Sequence, residues 1–458
     1  MHEENITLGE LLADNKYSEA REMLREMNVV DIAEAFEEID EVTAVRMFRM
    51  LPKDDAAEVF AYLSGDAQQK IVAKIKDEEI KYIIEEMYLD DAVDFIEEMP
   101  ANVVKRVLSS IPADRRELIN QFLKYPENSA GSIMTIEYIS LKEHLTVSEA
   151  FDRIRTQGID SETIYTCYVT DTSRRLTGAV SVKTLLLAPP NAIVGDIMER
   201  TIISAVTTDD QEQLANNFRK YGLLAMPVVD NESRIVGIVT VDDVMTIQEE
   251  EATEDFEIMA AMSPSEEPYM KTGVWTLVKN RLPWLMLLML TAMLTGGIIA
   301  SFEESLIVIP ALMTFIPMLM DTGGNSGSQS STLIIRGMAI NEVATSDLLR
   351  AWWKEIRVAA ICGGVLAIVN FVRILIFNMD RTLEKAAAFE KAASLGIVVS
   401  VSLFCTVILA KSLGVLLPIA AKKLKLDPAV MASPIITTIV DAGALVVLFG
   451  LSKAIFNI

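Results

Sequence analysis

Two histidines and three cysteines in 458 residues leave little from which to build a transition-metal site. His2 and His144 are far apart in sequence, and Cys167, Cys362 and Cys405 are odd in number with no CxxC spacing. Neither a disulfide framework nor a thiolate or imidazole metal centre is indicated, whereas oxygen ligands of the kind that suit magnesium or calcium abound. No GxxxxGK[ST] stretch occurs, so no nucleotide-hydrolysing motor is visible and primary pumping is excluded. A basic surplus is missing as well. The formal charge is −24, which argues against nucleic acid and for cations or basic partners. The first thirty residues contain no apolar signal region, so the N-terminus is expected to stay in the cytoplasm.

The negative charge is unevenly placed. Residues 1–270 hold 54 acids and 25 bases, net −29, while residues 271–458 hold 11 acids and 16 bases, net +5. The first part reads as an acidic soluble body, and at this length about three domains are expected. Residues 1–130 show helical spacing throughout, punctuated by Pro52, Pro100 and Pro112, and are expected to form stacked short helical hairpins. Taken alone, the acids there, including Glu58, Asp90, Asp91 and Asp94, read as a solvated helix surface. Residues 131–245 carry an internal repeat. GSIM at Gly131 returns as GDIM at Gly195, and YVTDTSRRLTGAVSVKTLL returns as VVDNESRIVGIVTVDDVM about sixty residues later. Each copy predicts a strand, a turn, a second strand after Gly178 or Gly237, and a helix. This tandem resembles a CBS pair, a regulatory module that is often dimeric and in some proteins binds adenosine nucleotides such as ATP. The resemblance places the ribose-contacting acid three residues after a Ser or Thr. Thr240 and Asp243 match in the second copy, but Ser181 is followed by Thr184 in the first.

Residues 246–272 are expected to form an acidic linker helix rich in Glu249, Glu250, Glu251, Glu254, Asp255 and Glu257. Residues 273–458 predict five membrane segments, near 282–300, 306–335 with a break, 358–377, 394–420 and 428–452. Lys and Arg flank the sides that would face inward, which places the N-terminus inside and, for an odd number of crossings, the C-terminus outside. The second segment holds Pro310, Pro317 and DTGGNSGSQSSTLIIRG. A broken polar backbone at membrane depth survives only where protein or a cavity surrounds it, which makes Asn325, Ser328 and Gln329 candidates for pore lining or helix packing.

The last segment contains the costliest residue of the chain. Asp441 has thirteen uncharged residues before it and eleven after it. A carboxylate that deep in hydrocarbon is expected to line water, bind a cation or take up a proton. Asp427 lies fourteen residues earlier, which on one continuous helix is about 21 Å along the axis and on the same face. Two triplets resemble other chemistry. Asp321-Thr322-Gly323 spells the aspartic-protease motif, and Asp321 with Asp441 leaves an intramembrane aspartyl protease as a minor alternative. Met270-Lys271-Thr272-Gly273 resembles a cation-pump phosphorylation motif, but Met stands where that motif needs its aspartate.

The order of acidic helical domain, CBS pair, acidic linker and five membrane segments resembles the MgtE family of magnesium channels and transporters, most specifically in GGNSGSQSSTLIIRG and DPAVMASPIITTIVDAGA. The resemblance implies a non-enzymatic homodimer in the cell (inner) membrane, multi-pass, with its pore on the twofold axis. Paired Asp441 carboxylates would hold a largely hydrated Mg2+, with Ser433, Thr437 and Asn325 along the path and Asp427 at its mouth. It also implies closure by intracellular Mg2+ at Glu58, Asp90, Asp94, Glu212, Asp243, Glu251, Glu254 and Asp255. Gly222 and Thr246 stand where carboxylates are expected. A proton-coupled or broader divalent-cation carrier, for Mn2+ or Co2+, is the alternative, because a buried aspartate can titrate.

Overall fold

The computed structural model describes residues 8–14, 16–37, 39–265, 269–377 and 385–456, and structural statements refer to these. The outer loop expected around Asp380, Arg381 and Glu384 lies outside them. The chain divides into two compact units, Met1–Gln248 and Glu249–Ile458.

The first unit opens with ten short helices, α1 to α10. They are Leu8–Ala13, Tyr17–Glu26, Val29–Glu37, Glu41–Phe48, Lys53–Ala61, Gly65–Lys74, Asp77–Glu86, Leu89–Glu98, Ala101–Ser110 and Ala113–Phe122. Pro52, Pro100 and Pro112 occupy the N-cap positions of α5, α9 and α10, where a missing N–H costs nothing. Alternate helices pack together, α4 on α6, α5 on α7 and α7 on α9, so a stack grows by staggered pairs. Edge-to-face rings run through its core, with Phe36–Phe48, Phe48–Phe60 and Phe60–Phe95 centroids 6.4, 6.0 and 5.2 Å apart. The same apolar core continues through Phe122 and Met134 into Met226, Val228, Val239 and Val244.

The repeat then folds as two equivalent three-stranded sheets. β1 (Tyr138–Lys142) runs parallel to β2 (Thr163–Thr170), which pairs antiparallel with β3 (Leu176–Ser181); β4 (Ala205–Val206), β5 (Ala225–Val229) and β6 (Ile235–Thr240) repeat that pattern. The helices α11 (Val147–Gln157), α12 (Val182–Leu187), α13 (Val194–Ile197) and α14 (Gln211–Tyr221) flank them. Asp171 Oδ1 accepts from Ser173 N and Arg175 N, and Asp230 Oδ1 accepts from Glu232 N and Arg234 N, so one turn is built twice. The repeated methionines are exchanged between copies: Met198 fills the space beside Gly178, and Met134 fills the space beside Gly237.

β6 passes directly into α15 (Val241–Met259). The acidic helix therefore starts earlier than expected and ends sooner, at Met259. Ala261 turns left-handed with φ 54°, Met262 N donates to Glu257 O, and Pro264 follows, which together stop the helix.

The second unit contains α16 (Val274–Ser301), α17 (Glu303–Val308), α18 (Ile316–Ala339), α19 (Leu348–Phe377), α20 (Lys385–Lys423) and α21 (Ser433–Phe456). Among the described residues, four helical stretches are long and apolar enough to cross a membrane: Val274–Ser301, Thr345–Phe377, Phe389–Lys423 and Pro428–Phe456. The expected second crossing is not one of them, because its serines, glycines and amides lower its hydropathy. The break expected in that segment lies at its start. Pro310 opens a 3₁₀ turn over Pro310–Phe315 and Pro317 sits in the first turn of α18, so the whole polar run is continuous helix. Asp427 needs a further correction. It caps a 3₁₀ turn, Pro428–Met431, and α21 begins only at Ser433, so Asp427 and Asp441 do not share a helix face.

Candidate cation sites

α18 packs on both α20 and α21. Its glycines permit that approach. A methyl group at Gly323 would meet Thr406 Cγ2 and Val440 Cγ1 at 2.7 and 2.8 Å, one at Gly324 would meet Thr437 Cγ2 at 2.9 Å, and one at Gly327 would meet Ile436 Cγ2 at 2.6 Å. Thr437 thus packs against α18, and its hydroxyl donates to Pro434 O at 2.9 Å. Ser433 opens α21, and its side chain lies outside the described residues.

The opposite face of α18 is unlike the packed one. Asp321, Asn325 and Gln329, spaced by four, are all exposed and form one row along the helix. Asn325 is therefore not used in helix packing, and Ser328 instead bonds Gly324 O of its own helix at 2.9 Å. Asp441, half-buried on α21, has Asp321 as its charged neighbour. The sequence paired these two acids only as the dyad of a protease alternative; Asp321 was not among the expected cation ligands.

At the start of α21 a second group of acids meets the end of α15. Asp427 is exposed and accepts from Ala429 N at 2.7 Å. Asp255 is pushed up to about 6 by burial and then by Asp427, Glu251 and Glu254. Ile258 and Met259 pack on Ile335, Ala429 and Ala432, which seats the end of α15 on the Pro428–Met431 turn.

The third group lies in the first unit. Asp90 is 8% exposed, and burial, followed by Asp91, Asp243 and Glu162, lifts it well above the carboxylate range. Burial and neighbouring acids push Asp91 up to about 6, Asp94 to about 7 and Glu162 to about 8. Asp94 still has an exposed side chain, so its shift reflects the protein mass and acids around it rather than enclosure. Asp243 is raised by burial, partly offset by the Thr240 hydroxyl. Glu58 is exposed on α5 and, with Asp91 and Glu162, acts on Tyr88, which burial first drives to about 12. Arg115 reaches this region, 3.4 Å from Glu137, and also donates to Met87 O at 2.6 Å. Glu212 stands exposed in the first turn of α14. Among the described residues, no three carboxylates, histidines or cysteines converge as a ready-made metal shell. The acids crowd without closing. Glu162, Glu137 and Asp242 escaped sequence reasoning because folding joins positions up to about 150 residues apart.

The family model described as divalent cation transporter matches residues 316–451, the MgtE intracellular N domain matches 10–128, and the CBS domain matches 130–191 and 194–250. The chain is 34% identical over 354 residues to the magnesium transporter MgtE of Bacillus subtilis, covering 76% of this chain and 74% of that one. It is 35% identical over 346 residues to the magnesium transporter MgtE of Thermus thermophilus, with the same two coverages. The chain belongs to the MgtE family. The protease reading of Asp321 and Asp441 falls with that membership, since this is a family of transporters rather than enzymes. The first unit is also similar to the cytosolic domain of the Mg2+ channel MgtE solved in complex with ATP. That match has 33% identity and a TM-score of 0.50, and covers 53% of this chain and 99% of that one.

Gly222 and Thr246, where carboxylates were expected, have different surroundings. Gly222 ends α14 in the left-handed conformation, φ 64°, where glycine is favoured and a carboxylate side chain would strain the backbone. Thr246 is simply exposed on α15. The CBS copies also differ chemically. Thr240 Oγ1 donates to Asp243 Oδ2 at 2.8 Å and also bonds Asp242, whereas Ser181 Oγ meets Thr184 Oγ1 at 2.8 Å and accepts from Thr184 N at 3.0 Å, capping α12.

Proposed function

We propose that this protein conducts Mg2+ through a pore formed by two copies of the chain, with Asp441 of each copy holding the ion. The observation that carries this reading is the exposed Asp321–Asn325–Gln329 row beside Asp441. Carboxylates and amides do not face lipid without cost, so that face of α18 needs water or a second copy against it. α18 has 24 residues, about 36 Å at 1.5 Å per residue, enough to cross about 30 Å of hydrocarbon despite its polar composition. It serves as the fifth crossing, which leaves the C-terminus outside and both N-terminal domains in the cytoplasm. Magnesium dehydrates reluctantly, and facing carboxylates hold it through its waters. The membrane potential drives entry at about 4.6 kcal/mol per 100 mV for a divalent ion.

Closure follows from the crowded acids. Asp90, Asp94, Asp243 and Glu58 in the first unit, Glu212 on α14, and Glu251, Glu254 and Asp255 with Asp427 in the second would take up intracellular Mg2+, which relieves their repulsion. The seating of α15 on the Pro428–Met431 turn is the contact that such binding would stabilise, with α15 acting as the plug. Thr240 and Asp243 suit a nucleotide ribose, so the second CBS copy would bind an adenine nucleotide such as ATP. Asp441→Asn is expected to reduce Mg2+ uptake into proteoliposomes to the protein-free background. Uptake equal to the parent's would remove the central claim.

The Asp321–Asp441 neighbours favour one second reading, exchange of Mg2+ for protons, because adjacent carboxyls can share a proton. Uptake insensitive to an imposed pH gradient would eliminate it.

A further inference from the structure

Sequence reasoning passed over Lys411 and Glu355. Lys411 lies on α20, with its side chain 6% exposed, and Glu355 lies on α19, with its side chain 14% exposed. Lys411 Nζ is 3.4 Å from Glu355 Oε2 and donates to Ser330 Oγ of α18 at 3.1 Å, while Ser330 Oγ donates to Glu355 Oε2 at 2.6 Å. One hydroxyl therefore joins both charges, and three helices meet at it. Next to this bridge, Ile334, Met338, Val415 and Ile419 form an apolar cluster with Ala351 and Trp352 against it. Gly414 brings α20 close enough that a methyl there would meet Gly327 O at 2.6 Å and Ser330 Cβ at 2.9 Å.

The next residue of α18 faces elsewhere. Ser331 Oγ donates to Met431 O at 3.0 Å, the last carbonyl of the 3₁₀ turn on which Ile258 and Met259 rest. We propose that Glu355, Lys411 and Ser330 are a positioning bridge that holds α18 in the register at which Ser331 pins the Pro428–Met431 turn against the end of the acidic helix. A buried ion pair is weak as a source of stability and is best attested as a register device, which is the role assigned to it here. The gating consequence rests on the closure described above; the positioning itself does not.

The test uses the full chain in liposomes with Cys167, Cys362 and Cys405 replaced by alanine. Met259→Cys and Ala432→Cys are added, and a short bifunctional thiol reagent measures how often the acidic helix sits on the turn. Three variants are compared with this parent: Ser331→Ala, Ser330→Ala, and the uncharged pair Glu355→Gln/Lys411→Met, which orphans no charge. In each the cross-linked fraction is expected to fall about fivefold, the scale of one lost hydrogen bond. Conductance through Asp441 should be unchanged in each open channel, while the Mg2+ concentration that half-closes the channel should rise by a similar factor. Lys411→Arg, which keeps the charge facing Glu355, should retain the cross-linking that the uncharged pair loses. Folded variants that cross-link like the parent would overturn the proposal. Reduced cross-linking in a channel that Mg2+ never closes would uphold the bridge and defeat the closure reading instead.

Discussion

Two clusters of buried ionisable groups among the described residues handle charge in opposite ways. Around Asp90 the first unit gathers Asp91, Asp94, Asp243 and Glu162, with Arg115 engaged on Glu137. In the second unit Glu355 is matched by Lys411 and bridged by Ser330. Like charge left uncompensated is stored repulsion, and any divalent ion that enters releases it. Matched charge has nothing left to release and acts as fixed structure. The first arrangement suits a sensor and the second a frame.

The comparison breaks most sharply under the same chemical change, carboxylate to amide. Glu355→Gln orphans a buried lysine and is expected to destabilise the second unit by ~3–5 kcal/mol, read as loss of monodisperse protein on mild heating in detergent. Asp90→Asn should do the reverse. It removes a buried acid whose ionisation its neighbours oppose, an Asn oxygen can still accept from Asp91 N, and the metal-free first unit should resist heat and protease better than the parent. The same variant should gain less protection from added Mg2+. If both substitutions destabilise equally, the distinction between sensor and frame is wrong.

A gentler test uses pH. Asp91, Asp94 and Glu162, at about 6, 7 and 8, all lie above the ordinary carboxylate range. The folded unit therefore binds more protons than the unfolded chain between about pH 4 and pH 8, and its stability falls as pH rises through that window. Without metal, protease resistance of the first unit should be lower at pH 8 than at pH 5.5, and Mg2+ should narrow the gap. A flat metal-free profile would mean that these acids do not crowd in solution. The smallest effect concerns the position where a carboxylate was expected. Gly222→Ala should cost about 1 kcal/mol through its left-handed backbone alone, since the space around it is open. Thermal unfolding of the first unit would show it.

Much of this was legible before folding. Composition separates an acidic body from an apolar one, and the GSIM and GDIM echo with its Asp-containing turns marks two copies of one unit. The cost of Asp441 follows from its neighbours in sequence. Those features are local or periodic, so the order of residues carries them directly. Helix continuity was not legible. Periodicity placed Asp427 and Asp441 on one face, but Asp427 caps a separate 3₁₀ turn. The prolines marked a break in the second segment, but not that it would fall at Pro310–Phe315 and leave the polar run one continuous helix, with Pro317 in its first turn.

What the sequence determined by itself is which residues are too polar for where they must go. Asp441, the Asn325 run and the surplus of acids in residues 1–270 are anomalies of composition, and composition needs no coordinates. Only the tertiary structure decided which anomalies meet. Asp321 beside Asp441, Glu162 beside Asp90, and Lys411 on Glu355 and Ser330 join positions from 56 to 120 residues apart in the chain. Such pairings depend on how separate helices pack, and packing is set by the whole surface of each helix rather than by any motif within it.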